Sequence, residues 1–378
     1  MADQFRIQAL GHTDATAAWQ LTQQLRWPHR QEDWAQMIAW ANQHGMACGL
    51  FHQQQLIGTA LCWYWGQTHA NLGLMIVDPA WQKRGLGRRL LTHLLDALPQ
   101  RSISLMATEA GLPLYQQLGF EALGRNTQYQ GLFQGQDDDV AGLASPRLAT
   151  PSDLDAIIAL DTRLRGLDRT WLLRELLSRP LDTAPVQSGL PDEVHHLPHL
   201  ADKPSAPQEG FSTPPPDNAC TEACAVLGGP AGTTQAYGVR RRFGRGWLIG
   251  PLLAPTEADA IALLSCLCAP LTGTFVRIDL GWQAPARQIA PQILPLNAPD
   301  FNTPPAQPAP VAPPSATTEA TALGAWLQAH GLHIVDRPLA MQRPGTQAMP
   351  APHTSTAPQF PGFPPAPAVL TLLSQATG

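Results

Sequence analysis

The chain has 378 residues, of which 14% are charged and 44% are hydrophobic, and its formal net charge at pH 7 is −5. This length suits two domains of ordinary size, and the slightly negative charge argues against binding to nucleic acid or to an anionic membrane. The first ten residues lack a signal-peptide pattern, and no apolar run reaches the length of a membrane span. We therefore expect a cytoplasmic protein that binds neither nucleic acid nor a membrane.

The first 70 residues predict a strand, helices and a β-hairpin. Residues 6–10 are typical of a strand that leads into a helix, and a helical region with Trp27-Pro28 and Glu32-Asp33-Trp34 follows. Residues 47–51 and 56–63 then have the pattern of two antiparallel strands.

Residues 72–91 form the most informative segment. An apolar run of strand type stops at Asp78-Pro79, Gly85 and Gly87 follow, and a helical spacing of leucines resumes at Leu90. Glycines permit close approach of a ligand, and the free N–H groups and the dipole of a helix start attract an anion. Basic residues surround the loop at positions 83, 84, 88 and 89. The segment therefore predicts a cofactor with a polyphosphate group rather than a metal or a nucleic acid.

Two common phosphate-binding loops do not fit this segment. A Walker loop needs four residues between its glycines and a following Lys-Ser or Lys-Thr, whereas one residue separates Gly85 from Gly87 and Arg88-Arg89 follow. A dinucleotide-binding loop needs a small residue where Leu90 stands. Its first glycine also follows the strand directly, whereas several residues separate Gly85 from the end of the strand here. The first alternative is excluded and the second fits poorly.

The loop Gln82-Lys83-Arg84-Gly85-Leu86-Gly87 instead resembles the Gln/Arg-x-x-Gly-x-Gly/Ala loop of the GNAT superfamily of N-acetyltransferases. A strand-like run at 103–108 then precedes Tyr115-x-x-x-Gly119-Phe120, which is similar to the family's short helix with an inward tyrosine and a terminal glycine. The two motifs stand in the family's order. The resemblance implies an α/β protein with a mixed sheet, the GNAT acyl-CoA acyltransferase fold.

The resemblance implies that acetyl-CoA, as co-substrate, lies between two parallel strands that end near Val77 and Thr108. The loop amides would bind its pyrophosphate, and the strand backbone would bind the pantetheine and the thioester. The implied cofactor-binding residues are Ile76, Val77, Gln82, Lys83, Arg84, Gly85, Leu86, Gly87 and Arg88. The acceptor amine attacks the thioester directly in this family, so the implied catalytic residue is Tyr115, whose phenol would protonate the thiolate. The alternative is that Tyr115 only packs against the pantetheine or hydrogen-bonds to it.

The general base stays unassigned at this point. Glu109 follows one strand that flanks the cofactor and His69 lies near the start of the other, so either could relay a proton through water, but such residues are more often merely solvated. An asparagine that precedes the tyrosine in parts of the family is missing, because Thr108 and Glu109 stand there. This departure leaves the acceptor side of the mechanism open.

The second half repeats the order of elements of the first, beginning with a strand and helix at 147–154. It resembles the carboxy-terminal domain of tandem acetyltransferases, whose Gly-x-Asp-Arg and Ile-Gly-Pro motifs are present at 166–169 and 249–251. Its loop at 254–257 has no Gly-x-Gly and has Pro255 where an amide donor is needed, so it should not bind pyrophosphate. Asp168 and Arg169 either stabilise a helix start or face the acceptor cleft, and residues 240–242, all arginine, predict a solvated strand face.

The predicted organisation is a GNAT N-acetyltransferase domain at 1–136, a degenerate GNAT-like domain at 145–343 and a Pro-rich tail at 344–378. Insertions near 180–219 and 291–316 and the tail are rich in Pro, Ala, Ser and Thr, a composition typical of disorder. The cysteines predict no disulfide framework, and no metal site is expected at Cys220-x-x-x-Cys224 or at the histidines near 195–199.

The sequence thus predicts an acetyl-CoA-dependent N-acetyltransferase whose acceptor is a primary amine of a small molecule, since a second domain over the acceptor side would narrow the cleft. Acetylation of protein lysines or N-termini is the alternative enzyme function. A non-catalytic sensor or scaffold that binds acyl-CoA is a third hypothesis for the function.

Overall fold

A computed structural model describes residues 4–135, 145–178, 220–229, 233–281, 321–346 and 369–371. The insertions expected near 180–219 and 291–316 lie outside these ranges, as does most of the expected tail. Among the helices in the described ranges, none is long and apolar enough to cross a membrane.

The first half of the chain, residues 4–135, alternates strands and helices as the sequence predicts. Its elements are β1 (Phe5–Ala9), α1 (Ala15–Gln24), α2 (Gln31–His44), β2 (Gly45–His52), β3 (Gln55–Trp65), β4 (His69–Val77), α3 (Leu86–Asp96), β5 (Ser102–Ala107), α4 (Leu112–Gln117), β6 (Glu121–Arg125) and β7 (Thr127–Leu132). Helix α3 buries a stripe of leucines with helical spacing, which fixes the face that it packs on the sheet: Leu86, Leu90, Leu91, Leu94 and Leu95.

The second half, residues 145–371, repeats this order. Its elements are β8 (Arg147–Leu148), α5 (Leu154–Arg165), α6 (Thr170–Leu177), β9 (Ala223–Gly228), β10 (Thr234–Phe243), β11 (Gly246–Ala254), α7 (Glu257–Cys268), β12 (Phe275–Leu280), α8 (Ala322–Ala329), β13 (His333–Asp336), β14 (Leu339–Arg343) and β15 (Val369–Thr371). The sequence predicts one last strand at 333–343, but the structure divides it at Arg337-Pro338, and its two parts join different sheets.

The two halves exchange a strand with each other. The first sheet has the order β1-β2-β3-β4-β5-β14-β6, so β14 of the second half lies between two strands of the first. The second sheet has the order β13-β7-β12-β15-β11-β10-β9-β8, so β7 of the first half lies between β12 and β13. In register, Met341 pairs with Leu105 and Tyr129 pairs with Ile278. Each sheet therefore needs residues from both halves.

The hydrophobic cores follow the same exchange. Met341 is buried in the core of the first sheet with Leu105, and Tyr129 is buried in the core of the second with Ile278. A third core joins the halves, because Phe243 and others of the second half pack with the helices α1 and α2. Burial of apolar surface on both sides of these contacts holds the halves together.

The arginines at 240–242 do not form the solvated face that the sequence predicts. Arg240 and Arg241 are buried in β10, a strand with neighbours on both sides. The Arg240 guanidinium donates to the carbonyl oxygens of Thr221 at 3.0 Å and Leu267 at 2.6 Å, and the Arg241 guanidinium lies 5.2 Å from the centre of the Phe243 ring. Carbonyl and ring contacts replace water around these cations, so the expectation was wrong.

Strand β15 occupies an opening in the second sheet. Strands β11 and β12 pair in parallel from Trp247 to Ile249 and then separate. Beyond this point β15 pairs with β11 at residues 252–254 and with β12 at Leu280. The chain's own backbone therefore fills the gap between the two strands.

Candidate active site

The first sheet contains an opening between β4 and β5. The two strands pair in parallel from His69 with Ser102 to Leu72 with Leu105, and β4 then continues to Val77 without this partner. A β-bulge follows at once: Leu74 has a positive φ of 50°, and the register with β3 shifts between Thr59 and Leu61. The buried Thr59 hydroxyl donates to the Leu74 carbonyl oxygen at 2.8 Å and supports the bulge. Bulges reorient backbone groups beside binding sites.

The glycine loop follows β4 and leads into α3. Asp78 accepts a hydrogen bond from the Ala80 amide, and the Gln82 side chain donates to the Val77 carbonyl oxygen at 2.9 Å. Lys83 and Gly85 have positive φ values of 61° and 75°, and Gly85 is the N-cap residue of α3. Within the described chain, no hydrogen bond engages the backbone amides of residues 83–88. Consecutive free amides at a helix start form an anion-binding concavity.

Several basic side chains of the loop contact the protein itself. The Arg88 guanidinium donates to the Gln117 side chain, and that of Arg89 donates to the Phe5 carbonyl oxygen at 2.9 Å. The Arg84 guanidinium lies 4.9 Å from the centre of the Trp81 ring. These contacts fix the loop against β1 and α4. Lys83 is exposed at the loop surface.

Tyr115 lies on α4, and its ring is buried at 6% exposure in an edge contact with Phe120. Burial raises the pKa of its phenol to about 12, so the phenol is neutral and able to donate a proton near pH 7. Gly111 is required beside it, because a Cβ there would lie 2.7 Å from the Tyr115 ring.

A cavity of about 290 Å³ begins at the β4 bulge and reaches the second half. The first half contributes the bulge residues 72–75, Met106 and Thr108 at the end of β5, Tyr115, and residues 26–29 between α1 and α2. The second half contributes Arg245, Arg277 and Asp336, and the exchanged strand β7 contributes Gln128 and Gln130. Residues of both halves therefore line the cavity that contains Tyr115.

The cavity wall that Arg277 and the exchanged strand β7 form is a connected polar network. The Arg277 guanidinium makes a bidentate ion pair with Asp279, with an Nη2 to Oδ2 distance of 2.6 Å. The Gln128 side chain donates to Asp279 at 2.9 Å, and Gln130 donates to Gln128 at 2.8 Å. Because the exchanged strand supplies both glutamines, the strand exchange helps to build this wall.

His29 lies in the same cavity and has no counterpart in the sequence prediction. It follows Trp27-Pro28 in the loop between α1 and α2, and its side chain is buried at 7% exposure. Among the described residues, neither ring nitrogen has a hydrogen-bond partner. The ring contacts that of Phe243 edge-on, with centres 5.2 Å apart. A lone histidine in a loop gives no periodic or motif signal, so only the packing of this loop shows its position.

The other residues considered from the sequence do not line this cavity. His69 is at the paired end of β4, where its ring contacts the Thr68 hydroxyl at 2.9 Å, and Glu109 is exposed. Asp168 accepts from the Thr170 amide at 3.1 Å at the start of α6. Arg169 is buried in an ion pair with Asp161, with an Nε to Oδ2 distance of 3.0 Å. These contacts support the interpretation that Asp168 and Arg169 stabilise the start of a helix.

The corresponding loop of the second half is capped by a side chain and carries a carboxylate. The Thr256 hydroxyl accepts from the Asp259 amide at 3.1 Å and caps α7. The Glu257 carboxylate accepts from the Leu323 amide at 3.0 Å. A carboxylate at this position repels phosphate, and β15 fills the neighbouring gap between strands.

Comparisons with known proteins agree with this architecture. Residues 13–120 match a family described as "Acetyltransferase (GNAT) family", and residues 219–294 match one described as "Acetyltransferase (GNAT) domain". A putative acetyltransferase from Pyrococcus horikoshii has a similar fold, with a TM-score of 0.58 at 14% identity over 91% of this chain and 90% of that one. A GCN5-related N-acetyltransferase from Sphaerobacter thermophilus has a TM-score of 0.50 at 15% identity, over 92% and 99% of the two chains.

Curated relatives match part of the chain. The protein named uncharacterized N-acetyltransferase YitH of Bacillus subtilis is 36% identical over 111 residues, which are 29% of this chain and only 38% of that protein. The [Ribosomal protein bS18]-alanine N-acetyltransferase of Salmonella typhimurium is 31% identical over 142 residues, which are 35% of this chain and 93% of that protein. The chain therefore belongs to the GNAT family of N-acetyltransferases, a family that uses acetyl-CoA as co-substrate, and it carries two domains of this kind in tandem.

Proposed function

We propose that the first half binds acetyl-CoA and transfers its acetyl group to a primary amine of a small molecule by direct attack. The row of free amides at residues 83–88 carries this proposal, because it lies at the end of the strand that borders the β4–β5 opening. Pyrophosphate bound there directs the pantetheine along Val77 and Ile76 toward the bulge at Leu74. The predicted cytoplasmic location is part of the proposal and rests on the sequence alone.

The reaction needs positioning and two proton transfers. The amine forms a bond to the thioester carbon, and the carbon–sulfur bond breaks. Tyr115 supplies a proton to the departing sulfur, since its buried phenol is neutral. Backbone amides beside the bulge polarise the thioester carbonyl, which is the charge stabilisation that acyl transfer requires.

The cavity between the halves supports a small acceptor. Its wall of Arg277 and the exchanged strand β7, held together by Asp279, restricts the space in front of Tyr115. The second candidate is acetylation of a protein N-terminus or lysine, and the name of the Salmonella relative, a ribosomal-protein alanine N-acetyltransferase, favours it. A non-catalytic acyl-CoA sensor is the third.

Two measurements test the proposal. Calorimetric titration of the full chain with acetyl-CoA should give saturable binding, and Gly85→Glu should abolish it because a carboxylate at the α3 start repels pyrophosphate. No binding, or binding that Gly85→Glu leaves unchanged, would refute the cofactor site.

Release of CoA should then be followed with a panel of free amines and of peptides. A small-molecule enzyme acetylates amines of the first group, and a protein acetyltransferase prefers the second. A sensor binds acetyl-CoA and releases no CoA with any member. In an enzyme, Tyr115→Phe should lower kcat by about 100-fold and leave acetyl-CoA binding intact.

A further inference from the structure

We propose that His29 accepts the proton of the acceptor amine when the amine attacks the acetyl thioester. The inference rests on the proposed function and supplies the general base that the sequence does not identify. Three observations carry it: the position of His29 in the cavity beside Tyr115, the burial of its ring, and two ring nitrogens without a partner among the described residues. Buried polar groups are nearly always hydrogen-bonded, so such a ring calls for a ligand.

The loop that carries His29 is fixed by its backbone rather than by the imidazole. The His29 carbonyl oxygen accepts from the Trp19 indole at 3.0 Å and from the Gln23 side chain at 3.3 Å. The neighbouring Arg30 amide donates to Asp33 at 2.8 Å. These bonds hold the loop in place without the ring nitrogens. Each nitrogen exposes less than 1 Å² of surface, so an acceptor amine reaches it only when the imidazole turns toward the cavity, a movement that leaves these backbone bonds intact.

Aromatic rings surround the imidazole and keep it uncharged. Its ring centre lies 5.8 Å from that of Trp27, 6.4 Å from that of Trp34 and 5.2 Å from that of Phe243. Burial lowers the pKa of His29 to about 4, while the Asp33 carboxylate raises it and the Arg277 guanidinium lowers it. The imidazole is therefore a free base throughout the physiological pH range, and Asp33 stabilises the cation once a proton arrives.

The other charged groups of the cavity fit this role less well. Arg26, Arg245 and Arg277 are cations and accept no proton. Asp336 is a carboxylate of the cavity but is exposed, and its Oδ1 accepts from the Arg337 amide at 2.8 Å. Asp336 is the competing candidate for the base, so its variant Asp336→Asn is measured beside those of His29.

The proton balance closes within the site. The amine nitrogen bonds to the acetyl carbon, and its proton passes to a His29 ring nitrogen. The carbon–sulfur bond breaks, and the Tyr115 phenol protonates the sulfur of CoA. The imidazolium then returns a proton to the phenolate through solvent. Both residues are restored, and no oxidant or further co-reactant is needed.

The test compares full-length wild type with His29→Ala, His29→Phe, Asp336→Asn and His69→Gln. Phenylalanine keeps a somewhat larger aromatic ring among Trp27, Trp34 and Phe243 and removes both nitrogens, so together with His29→Ala it guards against a folding defect. His69→Gln is the matched control, since that histidine lies at the paired end of β4 outside the cavity. CoA release is measured with acetyl-CoA and three probes: ethanolamine, trialanine, and water alone.

We expect both His29 variants to release CoA about 100-fold more slowly than wild type, with an unchanged Kd for acetyl-CoA. Added imidazole should restore His29→Ala by roughly tenfold, in proportion to the free-base fraction of the imidazole as pH rises through about 6.5, and should not restore His29→Phe, whose ring fills the space. A merely structural role gives no such rescue. His69→Gln should match wild type.

Other outcomes contradict the proposal in distinguishable ways. A wild-type rate in His29→Phe, or a loss confined to Asp336→Asn, would overturn the role of His29 and leave the proposed function standing. A wild type that binds acetyl-CoA but releases no CoA with any probe would overturn both.

Discussion

Burial is the largest cause of the pKa shifts of both Tyr115 and His29. Desolvation disfavours the phenolate of Tyr115 and the imidazolium of His29, so it raises one pKa and lowers the other. One cavity thus presents a neutral acid and a neutral base near pH 7. This pairing suits a reaction in which a proton leaves an amine and another reaches a thiolate.

His29 also links stability to pH. Its pKa is about 4 in the folded chain and 6.5 in the unfolded chain, so the unfolded state binds the proton more tightly. The stability that depends on a neutral His29 is fully present above pH 6.5 and is lost as the pH falls to 4. This loss lowers the free energy of unfolding by about 3 kcal/mol. Urea denaturation at pH 7 and pH 4 should show this extra loss in wild type relative to His29→Phe. Equal losses in the two proteins would contradict it.

The buried pair of Asp161 and Arg169 should be strongly coupled to stability. Burial opposes ionisation of Asp161, but Arg169 lowers the pKa of its carboxyl below the usual value, and the Tyr237 hydroxyl donates to it at 2.6 Å. Asp161→Asn leaves the Arg169 cation uncompensated and should lower the free energy of unfolding by about 3–5 kcal/mol.

The control for this pair is Asp155→Asn. Asp155 meets Arg174 at 3.5 Å, and both side chains are mostly exposed. Its loss should change the free energy of unfolding by no more than about 1 kcal/mol. Denaturant titration of both variants checks the contrast, and a similar effect for the two would refute it.

Two glycines at the start of helix α3 differ in how much stability depends on their being glycine. Gly85 is the N-cap residue, and Gly87 lies in the first turn. Gly85 has a φ of 75°, a region costly for other residues, whereas Gly87 lies within the helix, and a Cβ there would be 3.5 Å from its nearest neighbour, Met75. We expect Gly85→Ala to destabilise the chain by about 1 kcal/mol and Gly87→Ala to stabilise it by up to about 1 kcal/mol. Thermal denaturation measures both, and a change of the same sign in both would contradict the assignment.

Most elements around this helix could be predicted, because their signals are local. The loop at 82–87 and the Tyr115 helix have fixed spacings, and the predicted strands at 47–51 and 56–63 lie within β2 and β3. The GNAT fold implied by the resemblance is confirmed. His29 was missed because its importance comes from how the α1–α2 loop packs. The buried Arg240 and Arg241 were predicted wrongly because charge usually marks a solvated face.

The strand exchange could not be predicted from sequence order. Strands β7 and β14 stand at equivalent positions in their halves, and each would have the same apolar pattern whichever sheet it joined. Pairing partners are decided by tertiary packing, here by Tyr129 and Met341 in the other half's core.

The exchange predicts that the first half is not an independent folding unit. A fragment of residues 1–140 lacks β14, so β5 and β6 lose the strand between them, and β7 loses both of its neighbours. Exposed strand edges promote aggregation. We expect this fragment to be insoluble or unable to bind acetyl-CoA, and the full chain to unfold in one calorimetric transition. A monomeric fragment with wild-type affinity for acetyl-CoA would disprove the dependence.

The exchange also means that the peptide link between residues 135 and 145 is not what keeps the halves together. Four β-ladders join the halves: β14 pairs with β5 and with β6, and β7 pairs with β12 and with β13. If that link were cut, or if the halves were made as two polypeptides in one cell, they would assemble as an obligate heterodimer. Hydrogen bonds between strands therefore join the two domains independently of the covalent chain.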